Sequence, residues 1–253
     1  MAHVPVESVC CSVDDCVQAA AGGADRIELC GAITVGGLTP SIGTLVEAKR
    51  RVNLPIVAMV RPRGAGFAYT EAEFATIISD AKILIENGAD GLVFGVLTED
   101  GEIDTARMQV LVDLAGSKDK VCHRCFDVVP DPSVALEQLI DLGFTRLLTS
   151  GQRAFASDGI PLIRSLVEQS AGRIEILPAG GLRVHNIVDF LKETGCKCFH
   201  LAPFIEMTDP STLGNPEIEY APTSLPKESA YHLIDRSQVA GVVEAARSME
   251  ACN

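Results

Sequence analysis

Apolar positions recur in two alternating rhythms from one end of the chain to the other. Short β-branched runs fall at residues 4–9, 26–30, 56–61, 91–95, 120–126, 146–150, 173–179 and 198–202. Between them lie segments with apolar residues at helical spacing, near 13–22, 41–51, 71–87, 104–116, 131–142, 159–170 and 184–194, with a last one near 236–248. The repeat length, about 25 to 35 residues, is that of a strand–helix unit. Boundary residues support the helices. Ser12 and Ser41 stand where N-caps belong, and Asp14 and Asp15 follow Ser12 in the first turn. Thr70 with Glu73 forms a capping box. Lys49, Arg50 and Arg51 crowd a helix C-terminus, where cations suit the dipole. Glycines at 22–23, 88, 143 and 195 follow helices and allow the turn into the next strand.

Eight such strands alternating with eight helices in 253 residues predict an α/β fold, a (β/α)8 TIM barrel forming one domain over residues 1–253. A doubly wound open sheet is disfavoured, because the first turn lacks a dinucleotide glycine fingerprint. Residues 203–235, rich in Pro, Ser and Thr, read as an irregular excursion between strand 8 and the last helix.

Alternate residues of a barrel strand point inward. In RIELC, Ile27 and Leu29 belong against the helices, which turns Arg26, Glu28 and Cys30 into the barrel. The same parity sends Glu7, Met59, Arg61, His123, Cys125, Asp127, Cys198 and His200 inward. Barrel interiors are normally filled by branched apolar side chains. Charges there must be paired or used, because burying them alone is costly. Several of these residues fall near the C-terminal strand ends, where barrel sites are built. Glu7, Glu28 and His123 are therefore candidates for acid–base chemistry. Reading KVCHRCFDVV as a strand places Cys122 and Cys125 on opposite faces, with Cys122 packed outward among helices. Arg124 then also has outward parity.

The formal net charge is −13 and the pI about 4.8. That balance argues against nucleic acid or an anionic membrane as partner, since both are read through excess Lys and Arg. No apolar run approaches the roughly 20 residues of a membrane-spanning helix, and MAHVPVESV has no signal-peptide pattern. A cytoplasmic location is expected, with the nine cysteines as reduced thiols.

Several long stretches resemble the CutC family: GGADRIELC (22–30), GGLTPSIGTL (36–45), MVRPRGAGFAYT (59–70), ADGLVFGVLTEDGEID (89–104), HRCFDVVPDPSVALEQLIDLGFTRLLTSG (123–151), PAGGLRVHNI (178–187) and FHLAP (199–203). The resemblance runs from Glu7 to the last helix. It implies a cytoplasmic TIM barrel that is a homo-oligomer, dimer or tetramer, connected with copper homeostasis. It also has departures. Val9 stands where the family pattern carries cysteine, Cys122 and Cys125 are local variants, and Cys198 replaces a common acidic residue.

Two functions follow as expectations. In the first, copper as Cu(I) is held by soft thiolate and imidazole groups at the barrel mouth, with Cys30, His123, Cys125 and His200 as ligands. In the alternative, the barrel is an enzyme acting on a small anionic or phosphorylated molecule. Arg61, Arg63, Ser150, Gly180 and Gly181 would then bind the anion, with His and Glu as acid and base.

Overall fold

A computed structural model describes residues 3–215, 217–218, 220 and 228–251. Eight parallel strands, β1 (Val6–Cys10), β2 (Arg26–Leu29), β3 (Ile56–Met59), β4 (Gly91–Phe94), β5 (Asp119–Cys122), β6 (Arg146–Thr149), β7 (Glu175–Pro178) and β8 (Phe199–Leu201), form one sheet. Helices alternate with them: α1 (Val13–Ala21), α2 (Ile42–Arg51), α3 (Glu71–Glu86), α4 (Thr105–Ala115), α5 (Pro132–Asp141), α6 (Ile160–Ser170), α7 (Ile187–Thr194) and α8 (Arg236–Ala251). The strand order is β7-β6-β5-β4-β3-β2-β1-β8, a nearly closed barrel. At the closing seam Cys198 Sγ lies 3.3 Å from the Ile176 carbonyl oxygen and bridges the two ends of the sheet. The predicted TIM barrel is therefore the observed fold.

The caps act as the sequence indicates. Ser12 Oγ accepts from the Asp15 N–H at 3.0 Å, and Thr70 and Glu73 form the reciprocal capping box. Parity on β2 also holds. Ile27 and Leu29 are fully buried in the layer between sheet and helices, each worth about 1.5–3 kcal/mol of burial. The barrel interior is a separate cluster that includes Val9, Cys30, Val57, Met59, Val93, Val121, Leu148, Leu177 and Cys198.

Two expectations are corrected. The fifth strand does not run through KVCHRCFDVV. It ends at Cys122, and Arg124–Val128 turns into a 3-10 helix capped by His123. The cause lies outside the segment. The Asp127 carboxylate accepts from Thr149 Oγ1 at 2.5 Å, Ser150 N–H at 3.1 Å, Gln152 N–H at 3.2 Å and Arg124 Nε at 2.7 Å. The bonds to Thr149 at the end of β6 and to Ser150 and Gln152 in the loop after it take Asp127 off any strand path. The 203–235 excursion is also more regular than expected. Its two ends pair as an antiparallel hairpin, β9 (Phe204–Thr208) with β10 (Ala230–Ile234). Residues 216, 219 and 221–227 of that segment lie outside the described residues. The hairpin is fastened to α1, because buried Asp15 accepts from the Ile234 N–H at 2.7 Å.

Candidate functional site at the barrel mouth

The barrel interior has two charged levels. In the lower one, Glu7 is fully buried and accepts from Arg26 Nε at 2.9 Å, Arg146 Nη1 at 3.3 Å and His200 Nδ1 at 2.9 Å. Arg26 also pairs with Glu175, and Arg146 with Asp119 and Glu175. Burial raises the Glu7 pKa, but the His200 hydrogen bond and the charges of Arg26, His200 and Arg146 outweigh it and lower the pKa to about 2. Burial lowers the His200 pKa, yet its bond to Glu7 and the nearby carboxylates leave it raised above 6.5. Every charge on this level has a partner, the condition under which buried charges are tolerated.

The upper level opens on the C-terminal strand ends. A cavity of about 240 Å³ is lined by Val9, Glu28, Ile33, Gly36, Met59, Arg61, Phe67, His123, Arg124, Leu148, Ala179, Gly180, His200 and Ala202. Here the pairing is incomplete. Glu28 Oε2, Arg61 Nε and His123 Nε2 are buried and have no hydrogen-bond partner among the described residues. Burial is the main reason that the Glu28 pKa is raised. Arg61 donates Nη1 to the Val35 and Gly37 carbonyls, both at 3.0 Å, and Nη2 to the Ala65 carbonyl at 2.7 Å. It also lies 5.1 Å from the Phe67 ring centroid, a cation–π distance. The His123 ring tilts against Phe67 with centroids 4.9 Å apart. Gly95 makes room for that ring: a Cβ there would meet Cys125 Sγ at 2.2 Å and His123 Cε1 at 2.6 Å.

Two thiol pairs flank these levels. Cys11 and Cys30, just past the ends of β1 and β2, have Sγ atoms 3.5 Å apart. Asp15 fixes the Cys11 backbone by accepting its N–H at 2.9 Å. Phe204 of the hairpin packs against the same interior cluster as Cys11 and Ile33. Contact with Cys11 and burial push the Cys30 thiol well up. Cys122 and Cys125 form the second pair, with Sγ atoms 3.7 Å apart and both fully buried. Their expected separation onto opposite faces is thus overturned. The 3-10 turn after Cys122 swings Cys125 back over it, and both join the layer outside the barrel rather than its interior. Burial raises both thiols. Cys122 stays well up, whereas its hydrogen bond and the adjacent His123 bring Cys125 down to about 6. Both pairs are free thiols.

The sequence-derived candidates fall into groups. Cys30, His200, His123, Glu28, Arg61 and Gly180 meet at the mouth. Cys125 lies behind His123 in the outer layer, and its N–H donates to His123 Nδ1 at 3.2 Å. Arg63 turns away, bonding Glu73 at 2.5 Å and the Gly64, Gly66 and Ala68 carbonyls. Ser150 Oγ is taken by Arg124 Nη2 at 2.6 Å, Asp127 at 3.0 Å and the Arg153 carbonyl. Gly180 has φ +106°, and its carbonyl accepts from the Ala156 N–H. Gly181 lies under the Phe155 ring. Arg124, expected outward, lines the mouth instead, because it sits on the 3-10 turn.

Cys11, Arg146, Glu175 and Asp119 were missed. Parity could have found all four: Cys11 shares the face of Glu7 and Val9, and the other three open β6, β7 and β5 on inward positions. Glu7, Glu28 and His200 also offer donor atoms within 4.8 Å of one another. A cation does not suit that point, since Glu7 already faces two guanidiniums and an imidazole.

These features define a TIM barrel with a candidate site at the C-terminal ends of its strands, where free thiols lie beside orphaned polar atoms. The chain belongs to the CutC family, whose model matches residues 5–205. A family protein CutC of Treponema denticola is 46% identical over 245 residues, covering 97% of this chain and all of the relative. The copper homeostasis protein cutC homolog of Homo sapiens is 46% identical over 189 residues, covering 75% of this chain and 69% of the relative. A Streptococcus agalactiae CutC crystal structure is 33% identical with TM-score 0.75, covering 78% of this chain and 97% of that one. A thiamine phosphate pyrophosphorylase from Pyrococcus furiosus, 13% identical at TM-score 0.57 over 97% of this chain and 96% of its own, shares the fold alone.

Proposed function

We propose that this CutC-family barrel handles copper in the cytoplasm by holding Cu(I) at the Cys11–Cys30 thiol pair. The observation that carries the reading is the 3.5 Å approach of two free thiols at the mouth. Cu(I) is soft and prefers thiolate to carboxylate. Cys11 is only partly buried, which leaves the pair reachable from solvent. Met59 offers a thioether nearby, since the Gly37 position contacts both Cys30 Sγ and Met59 Cε. His200 is a weaker ligand candidate than the sequence suggests, because its Nδ1 is committed to Glu7. Thiols must lose their protons to bind metal, so loading releases protons and suits a reducing compartment. The names of the human and mouse relatives, copper homeostasis protein cutC homolog, support the same reading. Titration of Cu(I) against a competing chromophoric chelator, under anaerobic reducing conditions, tests it. Cys30→Ser and Cys11→Ser are each expected to weaken binding at least tenfold. Unchanged affinity in both variants would end the proposal.

A further inference from the structure

Arg61 is a buried guanidinium, 6% exposed, whose Nη1 and Nη2 bond neutral carbonyls and whose charge also acts on the buried Tyr69 hydroxyl. No carboxylate among the described residues pairs with it, and its Nε–H has no acceptor. Two other orphans line the same cavity. His123 Nδ1 accepts the Cys125 N–H, so the ring proton sits on Nε2, and that Nε2–H has no acceptor. Glu28 Oε2 is an oxygen with no donor. The residues around the cavity thus leave two unused donors and one unused acceptor, and Arg61 has no carboxylate in direct contact. Orphaned buried groups each cost about 1–3 kcal/mol, and native proteins rarely carry three in one place without an occupant. Water would satisfy the hydrogen bonds, but it would leave Arg61 without a carboxylate in direct contact.

We propose that the barrel mouth binds a small 2-hydroxycarboxylate, with its carboxylate toward Arg61 and His123 and its hydroxyl donating to Glu28. A carboxylate supplies the acceptors and the negative charge, and the hydroxyl supplies the donor. The phenyl ring of Phe67, against both Arg61 and His123, gives the short carbon chain an apolar wall. The cavity, about 240 Å³ and open at the mouth, has room for a small ligand of this kind. This site adjoins the thiol pair of the copper reading, with Met59 on the wall between them, but its proposed contacts use neither Cys11 nor Cys30.

Calorimetric titration of the full chain, kept metal-free with chelator, tests the proposal with three probes. L-lactate carries both groups, acetate lacks the hydroxyl, and propane-1,2-diol lacks the charge. L-lactate is expected to bind at least tenfold more tightly than either. Glu28→Met, which keeps an unbranched side chain and removes the acceptor, is expected to bring lactate down to the acetate level. Arg61→Gln is expected to abolish carboxylate binding. Because Arg61 ties three loop carbonyls, its fold is checked by circular dichroism, and if it does not fold the Glu28→Met and diol comparisons decide. Cys30→Ser is expected to bind lactate as the wild type does, so failure of the copper reading would not touch this one. Lactate binding no tighter than acetate or the diol, or unchanged in Glu28→Met, overturns the proposal and leaves a cavity that holds water only.

Discussion

The two charged levels of the barrel are built from the same residue types and differ in how completely they are paired. On the lower level, Glu7 meets Arg26, Arg146 and His200, and the arginines reach Glu175 and Asp119. On the upper level, Glu28, Arg61 and His123 each keep an unused polar atom. A paired network explains itself as structure, whereas an unpaired one calls for something outside the protein. Arginine, glutamate and histidine inside a barrel therefore do not mark a site by their presence. They mark it where their hydrogen bonds run out.

The comparison can be broken most forcefully from below. Glu7→Ala leaves Arg26, Arg146 and His200 facing a missing anion, and is expected to cost about 3–5 kcal/mol of stability in urea denaturation. Glu28→Met, on the upper level, is expected to cost far less, because no bond to Glu28 Oε2 is lost. Equal costs would erase the distinction between the levels. Acid should show the same asymmetry. Glu7 titrates at about 2 when folded against 4.5 ordinarily, a depressed value. Its contribution, about 3 kcal/mol, is present above pH 4.5 and is lost as pH falls through about 2. His200, with its pKa raised, acts in the opposite sense: its contribution is present below 6.5 and is lost as pH rises through its folded value. A denaturation midpoint followed from pH 8 down to pH 2 checks both signs, and Glu7→Gln should flatten the acid limb.

The two thiol pairs sharpen the contrast further. Cys122→Ser buries a hydroxyl in the layer outside the barrel and is expected to cost about 1–3 kcal/mol while leaving Cu(I) affinity unchanged. Cys11→Ser, partly exposed, is expected to do the reverse, with little change in stability and weaker Cu(I) binding. The smallest effect belongs to the surface. Arg173→Ala removes an exposed pair with Glu137 and should leave the denaturation midpoint where it is.

Much of the site was legible because strand parity is a local rule. Once β2 is recognised, Ile27 and Leu29 can face only the helices, so Arg26, Glu28 and Cys30 face in. The same rule reaches Arg146, Glu175 and Cys11 when it is applied to every strand. It fails at His123–Asp127, since there the chain has left the strand for bonds to Thr149, Ser150 and Gln152. Nothing in KVCHRCFDVV announces those partners, which lie more than twenty residues away. The hairpin was illegible for a related reason: β9 and β10 pair across more than twenty intervening residues and rest on Asp15 of α1.

The sequence by itself determined the eight-fold strand–helix repeat, its caps, and which face of each strand turns inward. These depend on periodicity and on residues a few positions apart. Only the tertiary structure decided which inward charges find partners and which do not, that Cys11 rather than Cys125 stands beside Cys30, and that Arg63 and Ser150 are spent on loops. Hydrogen bonds and ion pairs are satisfied over a few ångströms in space, and the barrel brings Glu7 to His200 across nearly the whole chain.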